Sequence, residues 1–294
     1  MSTQNFTVST DGVRNQLLNV GRTIWETPNL LAGLLILGPI MLVAVLAPVI
    51  MPYDPNATHA VDQYAAPSTQ YLLGTDQYGR DLLSRVIIGA RATIALGVGS
   101  SLLATALGVP IGLTAGFLGG RVDEYLMRAV DILISIPTIL LALLIVAALS
   151  PSLLNVIIAV GIVYAPRIAR VIRSSTLSIR NEEFVLAAKA RGESNTYIMF
   201  REILPNVLPA TLIEASVRAG YAVIIGASLS FLGMGTQPPL ADWGYMIAIS
   251  RDHLGQTPWF LLWPSIALSL TILGFHLTGD GLRDALDIEH NGDH

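Results

Sequence analysis

Long stretches of this chain carry no charge, and in 294 residues such stretches leave a lipid bilayer as the natural solvent. Thr27 to Tyr53 is the first, and its run LLAGLLILGPIMLVAVLAPVI exceeds the ~20 apolar residues that a helix needs to cross a hydrocarbon core. Ala92 to Gly120 holds a second expected span, ending in the glycine-rich GFLGG. Ile132 to Pro166 is too long for one crossing at about 1.5 Å per residue, and SPS at 150–152 breaks it into two expected helices joined by a tight hairpin. A fifth span is expected near Leu208 to Leu232 and a sixth from Trp259 to Thr278. Between them lies a connection rich in proline and glycine, whose Trp243 and Tyr245 suit a membrane interface. A cleaved signal peptide does not fit the first run, which is too long and too far from Met1.

Composition agrees and removes other classes. Hydrophobic residues make up 52% of the chain and charged ones 13%, a balance that fits several membrane-spanning segments better than a water-soluble core. With no cysteine there is no disulfide, thiolate metal site or cysteine nucleophile. The five histidines, His59, His253, His276, His290 and His294, are scattered rather than set at metal-ligand spacing, so no metal site is expected. Lys189 is the one lysine and follows Ala188 rather than a glycine, which excludes a phosphate-binding P-loop. Any use of ATP must then come from a partner. No basic tract interleaved with aromatics points to nucleic acid.

Six crossings put both termini on one side, and the basic residues choose it. One side collects Arg14, Arg22, Arg121, Arg128, Arg167, Arg170, Arg173, Arg180, Lys189, Arg191, Arg201 and Arg283, against Arg80, Arg85, Arg91 and Arg251 on the other. The positive-inside rule makes the richer side, with both termini, cytoplasmic.

The longest loop on that side contains NEEFVLAAKARGESNTYIMFREILPN, Asn181 to Asn206, the most charge-dense part of the chain. Glu182 to Ala190 is built from helix formers, with Phe184, Ala187, Ala188 and Arg191 on neighbouring faces. Gly192 predicts a turn or C-cap, and Ser194 or Asn195 can cap a second short helix. Pro205 is expected to end that helix at Leu204, giving two short helices at a glycine elbow. The alanines allow another surface to approach closely, inside a rim of Glu182, Glu183, Lys189 and Arg191. An amphipathic hairpin lying on lipid headgroups is the alternative.

This stretch resembles the signature loop of ABC-transporter membrane subunits, with Ala187, Ala188, Gly192, Leu204 and Pro205 in register. Glu183 matches an acidic residue often found upstream in the peptide-importer branch. Leu186 stands where an acidic residue is usual, and Glu202 takes the first apolar position, followed by Ile203. LLGTDQYGRDLLSRVIIGAR at 72–91, ASLSFLGMGTQPPLADWGYM at 227–246, LTGDGLRDALD at 277–287 and APVIMPYDPN resemble the C-type permease of dipeptide, oligopeptide and nickel importers. Gly226 departs from the acidic residue that many relatives carry there.

The resemblance implies an all-α membrane protein: six transmembrane helices in a type I, MetI-like importer bundle of the cell inner membrane, both termini cytoplasmic. It implies a first part, 1–85, a permease core, 86–285, and a tail, 286–294. Implied partners are a second permease, two cytoplasmic ATPases and an extracytoplasmic binding protein, with ATP and magnesium held by the ATPases and no cofactor on this chain. In such assemblies the polar loop is the coupling element, here Glu183, Ala187, Ala188, Arg191, Gly192, Leu204 and Pro205. Peptides are the implied cargo; nickel, glutathione and opine-like solutes are carried by similar assemblies.

Glu214 and Arg218 lie four apart on the fifth expected span, where opposite charges on a helix meet. Arg218 is expected about 15 Å deep, so the pair either borders the translocation path or is a structural ion pair. In the 72–91 motif Thr75 or Asp76 can cap a helix and Gly79 can turn the chain, or the motif meets the binding protein. Asp131 and His276 are expected to satisfy helix ends, and Pro137 and Pro166 to bend the third and fourth spans. A secondary carrier would call for several intramembrane carboxylates or a repeat of broken helices, and a membrane enzyme for a nucleophile, base and oxyanion set. Neither pattern is present.

Overall fold

The computed structural model describes residues 27–291, with side chains described through Leu286. Among the described residues there is no β-strand, only one isolated bridge between Thr75 and Asp81. The helices are α1 (Pro28–Ile50), α2 (Leu82–Leu118), α3 (Gly120–Ser135), α4 (Thr138–Leu149), α5 (Leu153–Ile179), α6 (Glu183–Ala190), α7 (Leu204–Phe231), α8 (Trp243–Ser250) and α9 (Trp259–Asn291). Five helical segments are long and apolar enough to cross a membrane, and α3 with α4 makes a sixth if counted as one broken span.

The third crossing bends at Pro137, as expected, but so sharply that it is two helices. α3 and α4 are bent 91° to each other at Ile136–Pro137, where Pro137 has no N–H to continue the ladder. α3 is amphipathic and is held to α5 by ion pairs: Asp131 takes Arg170 at 2.5 Å, and Asp123 takes Arg173 Nη2 at 2.6 Å. Asp131 therefore serves a helix–helix contact, not a helix end. Beyond α4 the expected hairpin forms, with Ser150 in the left-handed region and Ser152 accepting from the Asn155 N–H. Pro166 sits inside α5 without ending it.

Three helices outrun their uncharged segments. α2 starts ten residues before the uncharged run, capped by Asp81 rather than by Thr75 or Asp76. α5 carries Arg167, Arg170 and Arg173 mid-helix, not in the loop expected from 166 onward, because Ile168, Ala169 and Ile172 bury the opposite face. α9 likewise continues through His276, which is paired with the Ile272 carbonyl (2.9 Å) and meets Tyr221 edge-on instead of capping an end. The divisions expected at 85/86 and 285/286 both fall inside helices. Arg14 and Arg22 lie outside the described residues.

α2 and α5 form the central pair, made possible by a glycine row. Gly108, Gly112 and Gly116 each lie against an α5 carbonyl, so that an added Cβ would stand 2.6 Å from Ala165 O, 2.5 Å from Ala169 O and 2.9 Å from Arg173 O. Small residues at four-residue spacing let helix backbones meet where lipid offers no hydrophobic drive. Around this pair, Leu113, Val146, Val160, Ile168 and Ile172 join a core that extends to Val185, Ala188, Ile198 and Ile203 of the polar loop. Gly226 of α7 is likewise a close-packing position: a side chain there would collide with Leu96.

The segment between α1 and α2 folds as a cap. Asp76 is fully buried and bridges Arg80 (2.6 Å) and Arg85 (3.6 Å), both buried. Its second oxygen accepts from the N–H groups of Tyr78 and Arg80, and Arg85 reaches the Pro55 carbonyl at 2.9 Å. Gly79, at φ +71°, makes the turn expected of it. The motif at 72–91 is thus built into the fold. Beneath it, Trp243 is 2% exposed and donates to the Val86 carbonyl (2.9 Å), so it is a core residue and not an interfacial anchor. Asp242, which caps α8 through the Gly244 N–H, has its carboxyl pushed upward by burial. Tyr71 shows the same direction, from burial first and then from its hydrogen bond to Asp62.

Candidate functional site: a polar-loop elbow and a charged midpoint

α6 ends as the glycine predicts. Arg191 is its C-cap, Gly192 sits at φ +79°, the Gly192 N–H bonds to Lys189 O (3.0 Å), and the Glu193 N–H bonds to Ala188 O (3.2 Å). These are the two bonds of a Schellman ending, which needs a residue free to enter the left-handed region. Ser194 then caps the next turn, accepting from the Tyr197 N–H at 3.2 Å. The expected second short helix does not stop at Leu204. The turn Asn195–Tyr197 passes through a π segment, Ile198–Ile203, directly into α7, with Pro205 in the first turn. Pro205 lacks only an N–H that a first turn does not need, so it starts the long helix instead of ending a short one.

The elbow is therefore continuous with a membrane helix on one side and packed onto the core on the other. Val185 and Ala188 have no exposed surface, whereas Phe184, Leu186 and Ala187 face outward. The sequence pairs the two alanines, but the structure divides them: Ala187 is at the surface and Ala188 is a core residue. Glu183 and Arg191 are exposed beside Ala187, Leu204 is half-buried and Pro205 is exposed. Arg191 pairs with Glu202 at 3.1 Å and with Glu193 at 3.6 Å, joining the two arms of the elbow. The unusual Glu202 thus has a structural partner. Lys189 Nζ sits 5.1 Å from the Phe117 ring centroid, tying α6 to the end of α2.

Near the middle of α5 and α7 a second group converges. Glu214, 8% exposed, binds Arg218 Nε at 2.5 Å. Arg218 lies 5.7 Å from the Tyr164 ring centroid and 5.5 Å from that of Tyr221. Arg167 lies 5.5 Å from the same Tyr164 centroid and donates to Thr138 Oγ1 at 2.8 Å. Sequence reasoning found Glu214 and Arg218 but missed Arg167 and Tyr164. The missed signal was the three-residue spacing of Arg167, Arg170 and Arg173, which continues the helix past Pro166. Among the described residues no group of His, Asp and Glu is placed to hold a metal ion.

Residues 108–288 match the family described as binding-protein-dependent transport system inner membrane component. The chain belongs to this family. The permease is 40% identical over 257 residues to the dipeptide transport system permease protein DppC of Alkalihalophilus pseudofirmus, covering 87% of this chain and 84% of that one. It is 39% identical to the glutathione transport system permease protein GsiD of Pectobacterium atrosepticum, with 87% and 85% covered. With the oligopeptide transport system permease protein OppC of Bacillus subtilis it shares 37%, over 87% and 84%. In fold it resembles a chain of the MetNI methionine ABC transporter in an inward-facing conformation, at TM-score 0.58 and 20% identity, covering 68% of the permease and 96% of that chain. The all-helical importer bundle expected from the sequence is the fold found, with its third crossing broken.

Proposed function

We propose that this permease forms half of the translocation path of an ATP-driven importer for dipeptides or oligopeptides in the cell inner membrane, with both termini cytoplasmic. Its partners are a second permease, two cytoplasmic ATPases that hold the ATP and magnesium, and an extracytoplasmic binding protein. The permease itself carries no catalytic residue and no cofactor. The observation that carries the reading is the elbow: a rigid turn at Gly192, anchored in the core through Ala188, presents Ala187 between Glu183 and Arg191 and runs without a break through Leu204 and Pro205 into α7.

Such a lever passes a displacement of α6 to α7 and to the Glu214–Arg218 pair on it, so closure of the ATPases shifts the bundle between two discrete arrangements. Peptide cargo is supported by relatives named as dipeptide and oligopeptide permeases. Glutathione, itself a tripeptide, is a second cargo of the same chemistry, supported by the relative named for it. The test is reconstitution. The full assembly in proteoliposomes should accumulate alanyl-alanine only with ATP and the binding protein, and the permease alone should accumulate none under a proton gradient. Gradient-driven accumulation by the permease alone would overturn the reading.

A further inference from the structure

The charged group at the midpoint of α5 and α7 is not neutral. It contains two guanidinium groups, Arg167 and Arg218, and one carboxylate, Glu214, which is committed to Arg218. Among the described residues Arg167 pairs with no carboxylate; its donors reach Thr138 Oγ1 at 2.8 Å and Val163 O at 3.4 Å. An arginine has five N–H donors in a planar fork, so several remain free, in a geometry that suits a carboxylate. Charges held within membrane helices are costly unless they face a partner or an aqueous path.

A cavity of about 390 Å³ opens between α4, α7, α8 and α9. Its lining is almost wholly apolar and includes Ile139, Ile224 and Ile272. Ile139 follows Thr138, Ile224 lies one turn beyond Tyr221, and the Ile272 carbonyl is held by His276, the edge-on neighbour of Tyr221. The cavity thus adjoins Arg167 through Thr138 and Ile139 of α4, and on α7 its nearer end lies six residues, about 9 Å, from Arg218. One end is apolar and the other cationic. That polarity fits a small solute with an apolar body and a free carboxylate.

We propose that Arg167, with Arg218 and Tyr164, forms a carboxylate-binding station on the translocation path, holding the anionic end of a peptide while its apolar side chains occupy the adjoining cavity. The proposal rests on the reading that this permease lines a peptide path. It goes beyond that reading by naming the recognised group and the residue that supplies the uncommitted charge. The Glu214–Arg218 pair positions the Tyr164 ring between the cations, and Thr138 orients the Arg167 fork.

The experiment uses the whole assembly in nanodiscs and the photoreactive dipeptide alanyl-benzoylphenylalanine, as the free acid and as its C-terminal amide. The expected result is labelling of α4 or α7 by the free acid, reduced about tenfold or more by the amide or by Arg167→Gln, and reduced less by Arg167→Lys, which keeps the charge but not the fork. Equal labelling by acid and amide, undiminished labelling of Arg167→Gln, or no labelling of these helices would overturn the proposal. If Arg167 instead neutralised a carboxylate of the second permease, Arg167→Gln would reduce both probes equally, which also overturns it. Uptake of alanyl-alanine by the unaltered assembly is scored separately: its absence sinks the peptide reading, while the labelling still decides the station.

Discussion

Asp76 offers the sharpest energetic test, because a single carboxylate there holds two buried cations. Its side chain has no exposed surface, and those of Arg80 and Arg85 are 8% and 1% exposed, so solvent screens little of the interaction. Asp76→Ala leaves both guanidiniums buried with like charge and removes the acceptor of the Tyr78 and Arg80 N–H groups. Breaking a buried ion pair from one side costs about 3–5 kcal/mol. Asp76→Asn keeps one acceptor oxygen for those N–H groups and should cost less, about 1.5–3 kcal/mol for the lost charge assistance. Asp252→Asn is the control: its pair with Arg251 is 69% and 65% exposed, and the change should stay below about 1 kcal/mol. The assay is unfolding of the purified permease in mixed micelles, followed by tryptophan fluorescence, since Trp243 packs directly beneath the cap. Trypsin gives a second readout, because Arg80 and Arg85 become cleavable only when the cap opens. An Asp76→Ala curve that coincides with that of Asp252→Asn, with no new cleavage, would refute the claim that this motif is a buried clamp.

Other positions give narrower tests. Gly112→Ala puts a methyl group 2.5 Å from the Ala169 carbonyl, backbone that cannot yield, and should cost about 1–3 kcal/mol in the same unfolding assay. Gly38→Ala, with nothing within 4 Å, should be neutral or stabilising; equal effects at the two sites would discredit the glycine row. Gly192→Ala meets no neighbour but forces a Cβ into φ +79°, costing about 1–2 kcal/mol locally. Its expected signature is normal assembly with less uptake per ATP hydrolysed, and an unchanged ratio would count against the elbow as a lever.

Much of this was legible in residues, and the remainder was hidden for physical reasons. Uncharged runs located α1 and the α4–α5 hairpin because lipid tolerates few charges. They failed for α2 and α5, where arginines are accommodated by Asp76 at one end and by α3 carboxylates at the other. Charge counting sees a cation but not its neutralising partner. At the elbow, Gly192 and Ser194 were readable because their roles depend on local backbone geometry. The role of Pro205 was not, since a proline ends one helix or opens another according to the residues on either side of it, and a π segment supplied the continuity. Ala188 was misjudged because periodicity on an eight-residue helix does not say which face the core takes. Arg167 escaped for the reason α5 did: the end of the uncharged run hid a helix that continued.

The central claim is that the elbow touches the ATPase and drives the bundle. The chain has no cysteine, so Ala187→Cys places one thiol on the exposed side of α6. Labelled with benzophenone-maleimide and irradiated in the full assembly, it should cross-link to an ATPase subunit and stop uptake of alanyl-alanine. A thiol that reacts freely with the label but forms no cross-link to either ATPase, with uptake intact after irradiation, would contradict the account.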